Sequence, residues 1–178
     1  MLVSPAFLPG LLKSSEPLGL AALALTGGLL AGFFEEVGWT GFATPRLLER
    51  HGWLAAWLVL GLPWWAWHAL GDRWGGAGHG GWYLPHFLLR SLALPAYRVL
   101  MTRVYAGTGS LLIAALMHAA FNGGQGLLQP AWTTAANAVL WHAAFALALL
   151  VAVVFVVLTD RGVVGRPGAA GAARPVEP

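Results

Sequence analysis

Long apolar runs dominate this chain, neither alternating like strands nor confined to one helical stripe. Each is about as long as a helix needs to cross a bilayer, roughly 20 residues at 1.5 Å apiece. Five are read as spanning helices: Leu18 to Thr44, Trp53 to Leu70, Leu84 to Tyr105, Ser110 to about Leu128, and Ala136 to Leu158. Pro45, with Arg46, Glu49 and Arg50, closes the first, and the glycine-rich GDRWGGAGHGGWY ends the second. The third carries Arg90, Arg98, Arg103 and Pro95, so it is expected to turn one side to protein or water. The fold class is therefore all-α, a polytopic transmembrane helix bundle.

The runs divide the chain into three parts. Residues 1–17 are broken by proline and lack the basic start of a signal peptide, which makes them an interfacial segment. Residues 18–158 form the transmembrane domain. Residues 159–178 are rich in Gly, Pro, Ala and Arg, and form a tail expected to be disordered.

Composition strengthens the membrane reading, since 58% of residues are hydrophobic and only 10% are charged. With no cysteine, disulfides and thiolate chemistry drop out, leaving His, Glu, Asp and Asn as reactive groups. The net charge of +3 comes from arginines near run ends, which suits a lipid surface and argues against a nucleic-acid partner. If the runs alternate, Arg46, Arg50, Arg103, Arg161, Arg166 and Arg174 share one side, with Lys13 and Arg73 opposite. That bias predicts a multi-pass protein of the cell membrane with its C-terminus in the cytoplasm. A lone lysine among many arginines, with abundant Ala, Gly and Trp, suggests a GC-rich bacterial genome.

Against this apolar background a few polar residues stand out. Glu35 and Glu36 lie side by side within the first run, where a carboxylate costs a few kcal/mol and is seldom kept without a task. Three pairs at i, i+4 each share a helix face: Glu36 with Thr40, Trp64 with His68, and His118 with Asn122. Counted from their segment ends, Glu35 lies about 15 Å deep, His68 about 22 Å, and His118 with Asn122 about 12 to 18 Å. A carboxylate, two imidazoles and an amide at similar depth supply a base for water and donors for an oxyanion, the groups that peptide hydrolysis needs. Glu35, His68 and His118 could equally hold a zinc ion with water as fourth ligand. Both chemistries stay open on the residues alone.

At these residues the chain resembles a known family. EEVGWTGFATPRL (Glu35 to Leu47), WWAWH (Trp64 to His68) and TGSLLIAALMHAAFN (Thr108 to Asn122) are similar, in order, to the three motifs of the CPBP intramembrane proteases. These include the type II CAAX prenyl endopeptidases and the bacteriocin-processing and self-immunity proteins. The resemblance implies an intramembrane endopeptidase acting on a membrane-associated protein or peptide. Carried over by position, Glu35 activates water with His68, His118 and Asn122 hold the oxyanion, and Glu36 supports them. Both metallo- and glutamate-dependent mechanisms have been ascribed to the family.

Two departures qualify it. The first motif normally carries an arginine four residues after its second glutamate, and here Thr40 stands there. Arg46 is the nearest candidate to compensate, with Arg98 and Arg90 of the third run as others. Family members also carry more helices ahead of the first motif, so the chain reads as a minimal or N-terminally shortened version. Thr40 supports an alternative, a catalytically silent member acting as a membrane binding or immunity protein. His142 is read as a packed histidine, and His51, His79 and His86 need no special role.

Overall fold

The computed structural model describes residues 7–75, 81–130 and 134–160. The tail from residue 161 and the centre of the glycine-rich connection, 76–80, lie outside the described residues. Helices make the fold: α1 (Gly10–Lys13), α2 (Pro17–Glu36), α3 (Thr44–Gly75), α4 (Tyr83–Thr108), α5 (Leu111–Leu128) and α6 (Ala135–Thr159). No strand element occurs among the described residues, only an isolated bridge between Pro9 and Pro130.

Between α2 and α3 the sequence predicts a break at Pro45, yet the backbone stays helical. Val37–Ala43 winds as a π-helix. Proline has no N–H to give and crowds the carbonyl four residues back, and a wider turn just ahead of Pro45 eases both problems. Thr44 Oγ1 donates to the Trp39 carbonyl at 2.8 Å, satisfying one acceptor in this wound segment. The path still reverses as expected, because Trp64 meets Glu35, 29 residues earlier. A straight helix would hold those residues about 43 Å apart.

Helix α4 ends where Gly109 takes a left-handed φ of 63°, and Ser110 then caps α5 by accepting from the Ile113 N–H at 3.3 Å. Helix α2 lies along α5, α3 along α4, and α4 along α6. The α2–α5 contact is close because glycine faces backbone there. A Cβ on Gly28 would sit 2.6 Å from the Ala119 carbonyl oxygen, and one on Gly32 would sit 2.4 Å from that of Ala115. Small residues let membrane helices approach in this way. Gly61 plays the same part between α3 and α4, with Pro95 only 3.2 Å from its missing Cβ.

The core is aromatic and narrow, with Trp64, Leu94, Tyr97, Met101 and Ala114 buried together and Phe121 stacked on Tyr97 at 4.1 Å. Outward, Leu18, Leu23, Phe33 and Phe34 of α2 and Val154, Phe155 and Leu158 of α6 are exposed, an outside as oily as a bilayer requires. The molecule is a helical membrane bundle.

Three helical stretches among the described residues are long and apolar enough to cross alone: Pro17–His51, Leu111–Leu128 and Ala135–Thr159. The expected span on α3 is not among them, and that on α4 falls short because it carries charge. That charge is paired. Arg90 meets Asp72 of α3, Arg98 meets Glu36 of α2, and Arg103 meets Asp160 beyond α6, Nε to Oδ2 at 3.0 Å. The middle of α4 thus faces protein, with Ala93 to Val99, Met101 and Thr102 buried, while Leu84, Leu88 and Leu92 nearer its start are exposed.

Candidate active site

The C-terminal end of α2 brings Glu35 and Glu36 to the middle of the bundle, and their side chains meet different surroundings. Glu36 is wholly buried. Arg98 grips its carboxylate as a fork, Nη1 donating to Oε2 at 2.9 Å and Nη2 to Oε1 at 3.0 Å. Thr40 Oγ1 also donates to Oε2, and His118 Nδ1 lies 2.7 Å from Oε1. Arg98 Nη1 reaches Thr40 Oγ1 as well, at 3.3 Å. These donors match the acceptor-only character of an ionised carboxylate. The paired arginine and the extra hydrogen bonds are what a buried charge requires.

Of the arginines considered from sequence, Arg46 was the nearest, and the structure corrects that expectation. Its Nη1 donates to the Phe42 carbonyl at 2.7 Å, and its guanidinium lies 3.8 Å from the centre of the Phe42 ring. Arg98, one of the two other candidates, takes the place instead. Sequence proximity misled because helix α4 delivers Arg98 across the bundle from 62 residues away.

Glu35 is only partly buried, and Trp64 Nε1 donates to its Oε2 at 3.0 Å. The Trp64 indole is the hub of the site. Its ring lies edge-on to His68 at 4.7 Å and to His118 at 5.5 Å, with the Arg98 guanidinium 4.5 Å from its centre. From the sequence, Trp64 was notable only as a polar-stripe partner of His68 and as a family aromatic. Its contact with Glu35 was invisible because it forms only after the chain has turned back on itself.

Each imidazole has a defined tautomer. His68 Nδ1 lies 2.8 Å from the Trp64 carbonyl, which can only accept, so Nδ1 carries a hydrogen and Nε2 of the neutral ring keeps its lone pair. His118 Nδ1 faces the Glu36 carboxylate and likewise carries a hydrogen. Its Nε2 is buried and has no hydrogen-bond partner among the described residues. A buried, unsatisfied ring nitrogen beside ionised groups is the kind of atom kept for a ligand.

Contacts therefore bring Glu35, Glu36, His68 and His118 around Trp64. Asn122 follows by register, one turn beyond His118 on the same face of α5 and partly buried. Its side chain makes no hydrogen bond to a described residue. No group of three His, Cys, Asp or Glu side chains among the described residues is placed to hold a metal ion, and Glu35, His68 and His118 do not form one.

Residues 17–124 match the family model described as Type II CAAX prenyl endopeptidase Rce1-like, a span that takes in Glu35, Glu36, His68, His118 and Asn122. Comparison with curated proteins and with solved structures gives no match.

Proposed function

Since the chain belongs to the type II CAAX prenyl endopeptidase Rce1-like family, we propose that it hydrolyses a peptide bond of a membrane-associated protein or peptide, with Glu35 as the base for the attacking water. The observation that carries this reading is the unequal treatment of the two glutamates. Glu36 is consumed by Arg98, Thr40 and His118, whereas Glu35 has a single donor among the described residues, Trp64, and retains acceptor capacity.

The Glu35 carboxylate takes a proton from water while the water oxygen bonds to the scissile carbonyl carbon. His68, whose Nε2 lone pair is fixed by the Nδ1 contact to the Trp64 carbonyl, shares that proton. As the carbonyl oxygen becomes an oxyanion, the Asn122 amide donates to it in any charge state. His118 Nε2 donates only when the ring is imidazolium, because its Nδ1 hydrogen is already directed at Glu36. Collapse of the tetrahedral intermediate breaks the C–N bond, and the proton held by Glu35 passes to the leaving amine. Every step is written without a metal.

Arg98 supplies the positive charge that Thr40 lacks, which supports the peptidase reading over that of a silent binding or immunity protein. The arginine bias puts the face bearing Arg46, Arg50 and Arg103 in the cytoplasm, with the C-terminus. The test is a peptidase assay of purified protein in detergent on a quenched-fluorescence peptide library. Glu35→Gln should lower turnover by about a hundred- to ten-thousand-fold, the usual worth of a general base. Wild type and variant equally inactive, with a tightly bound protein partner, would favour the silent reading.

A further inference from the structure

The groups of the proposed site are not all held alike. Glu35 is bonded by Trp64, His68 by the Trp64 carbonyl and His118 by Glu36, whereas Asn122 makes no hydrogen bond to a described residue. The aim of its amide therefore depends on where the backbone of α5 stands, both along its axis and in rotation.

Two neighbouring residues of α4 govern that backbone. Arg98 reaches α2 at Glu36, which in turn meets His118 of α5 at 2.7 Å. Tyr97 reaches α5 directly, its hydroxyl donating to the Met117 carbonyl at 2.6 Å. Polar contacts thus close α2, α4 and α5 into a ring around the site.

The Tyr97 contact falls where it can set both coordinates of α5. Its hydrogen bond is to the peptide that joins Met117 to His118, which fixes the height of the helix. Its ring stacks on Phe121, with centres 4.1 Å and planes 24° apart, which fixes the rotation of the turn that carries Asn122, the next residue. A carbonyl inside a helix already accepts from the N–H four residues on, so Met117 does not need the phenol to complete α5. The hydroxyl uses the carbonyl's second lone pair, and so ties one helix to another. Tyr97 is buried, and a phenylalanine there would fill nearly the same space without the tie.

We propose that Tyr97 is a positioning residue, holding α5 so that the Asn122 amide points at the developing oxyanion. The chemical consequence rests on the peptidase reading, but the placement of Asn122 can be measured without turnover.

The chain has two asparagines, Asn122 and Asn137. In full-length protein isotope-labelled only at asparagine and held in detergent, Asn122→Asp identifies which side-chain amide NMR signals belong to which. Tyr97→Phe should shift or broaden the Asn122 signals and leave those of Asn137 in place. Para-aminophenylalanine at the same position keeps a donor and should restore them. In the peptidase assay Tyr97→Phe should lower kcat by about tenfold, in line with the net worth of one hydrogen bond, with KM near wild type. In an Asn122→Ala background the same change should cost about twofold at most, because the group it aims is gone and Glu36 holds His118 independently. Asn122 signals untouched by Tyr97→Phe, or a loss of kcat that multiplies in full with that of Asn122→Ala, would overturn the proposal. So would a variant that perturbs both asparagines and melts lower, since Tyr97 would then serve stability alone. An Asn122 shift in a protein whose wild type cleaves nothing would sink the peptidase reading and leave the placement of Asn122 by Tyr97 standing.

Discussion

At the scale of single residues, the two adjacent glutamates meet different surroundings, Glu36 bonded by Arg98, Thr40 and His118 and Glu35 by Trp64. Glu36, Arg98 and His118 are fully buried, so removing one partner strands a charge. Arg98→Ala should cost about 3 to 5 kcal/mol, measured as a fall in thermal stability in detergent, because breaking a buried pair leaves an uncompensated ion. Thr40→Arg alone should also destabilise, since its site is enclosed and Arg98 already holds the carboxylate. Combined with Arg98→Ala it should recover stability relative to either single variant. No recovery in the double variant would mean the two positions do not exchange the same charge. Much of this site could be read beforehand: Glu35, Glu36, His68, His118 and Asn122 stood out as polar residues in apolar runs. Arg98 was legible only as an awkward charge, because its partner lies on another helix.

At the scale of elements, the proposed catalytic geometry depends on how closely α2 approaches α5, which carries His118. Gly32→Ala would press a Cβ to 2.4 Å from the Ala115 carbonyl, whereas Gly27 has nothing within 4 Å of its own missing Cβ. The first change should cost about 1 to 3 kcal/mol of stability, the usual cost of overpacking, and reduce turnover. Gly27→Ala should leave both near wild type. Melting curves and peptidase rates on the matched pair decide it, and equal effects would show that the seam is not under steric constraint. The helices themselves were plain from their apolar runs. The π-wound continuation through Pro45 was not, because proline in a sequence signals a break and the wider turn that accommodates it leaves no compositional mark. The close seam was present as Gly28 and Gly32 facing Ala115 and Ala119, but small residues declare their role only once a partner backbone is known.

Across the whole molecule, α4 acts as an internal post whose arginines tie three other parts of the chain to it. That arrangement explains how so charged a helix sits in a membrane protein without being apolar enough to cross alone. It also leaves orientation to the remaining arginines. Because the chain has no cysteine, Ser15→Cys and Gly171→Cys can each report one face without a background. A membrane-impermeant maleimide added to intact cells should label residue 15 and spare residue 171, with the reverse in inverted vesicles. The opposite pattern would reverse the proposed topology.

The central claim is that Glu35 activates water while Glu36 is locked in an internal ion pair. Its most direct test compares single-turnover hydrolysis by wild type, Glu35→Gln and Glu36→Gln at matched folded concentration, with and without chelator. The account predicts that wild type keeps its rate in chelator and that Glu35→Gln loses about a hundredfold or more while melting like wild type. Glu36→Gln should melt at a lower temperature. A folded Glu35→Gln that cleaves at the wild-type rate, or a wild type silenced by chelator and restored by zinc, would contradict it.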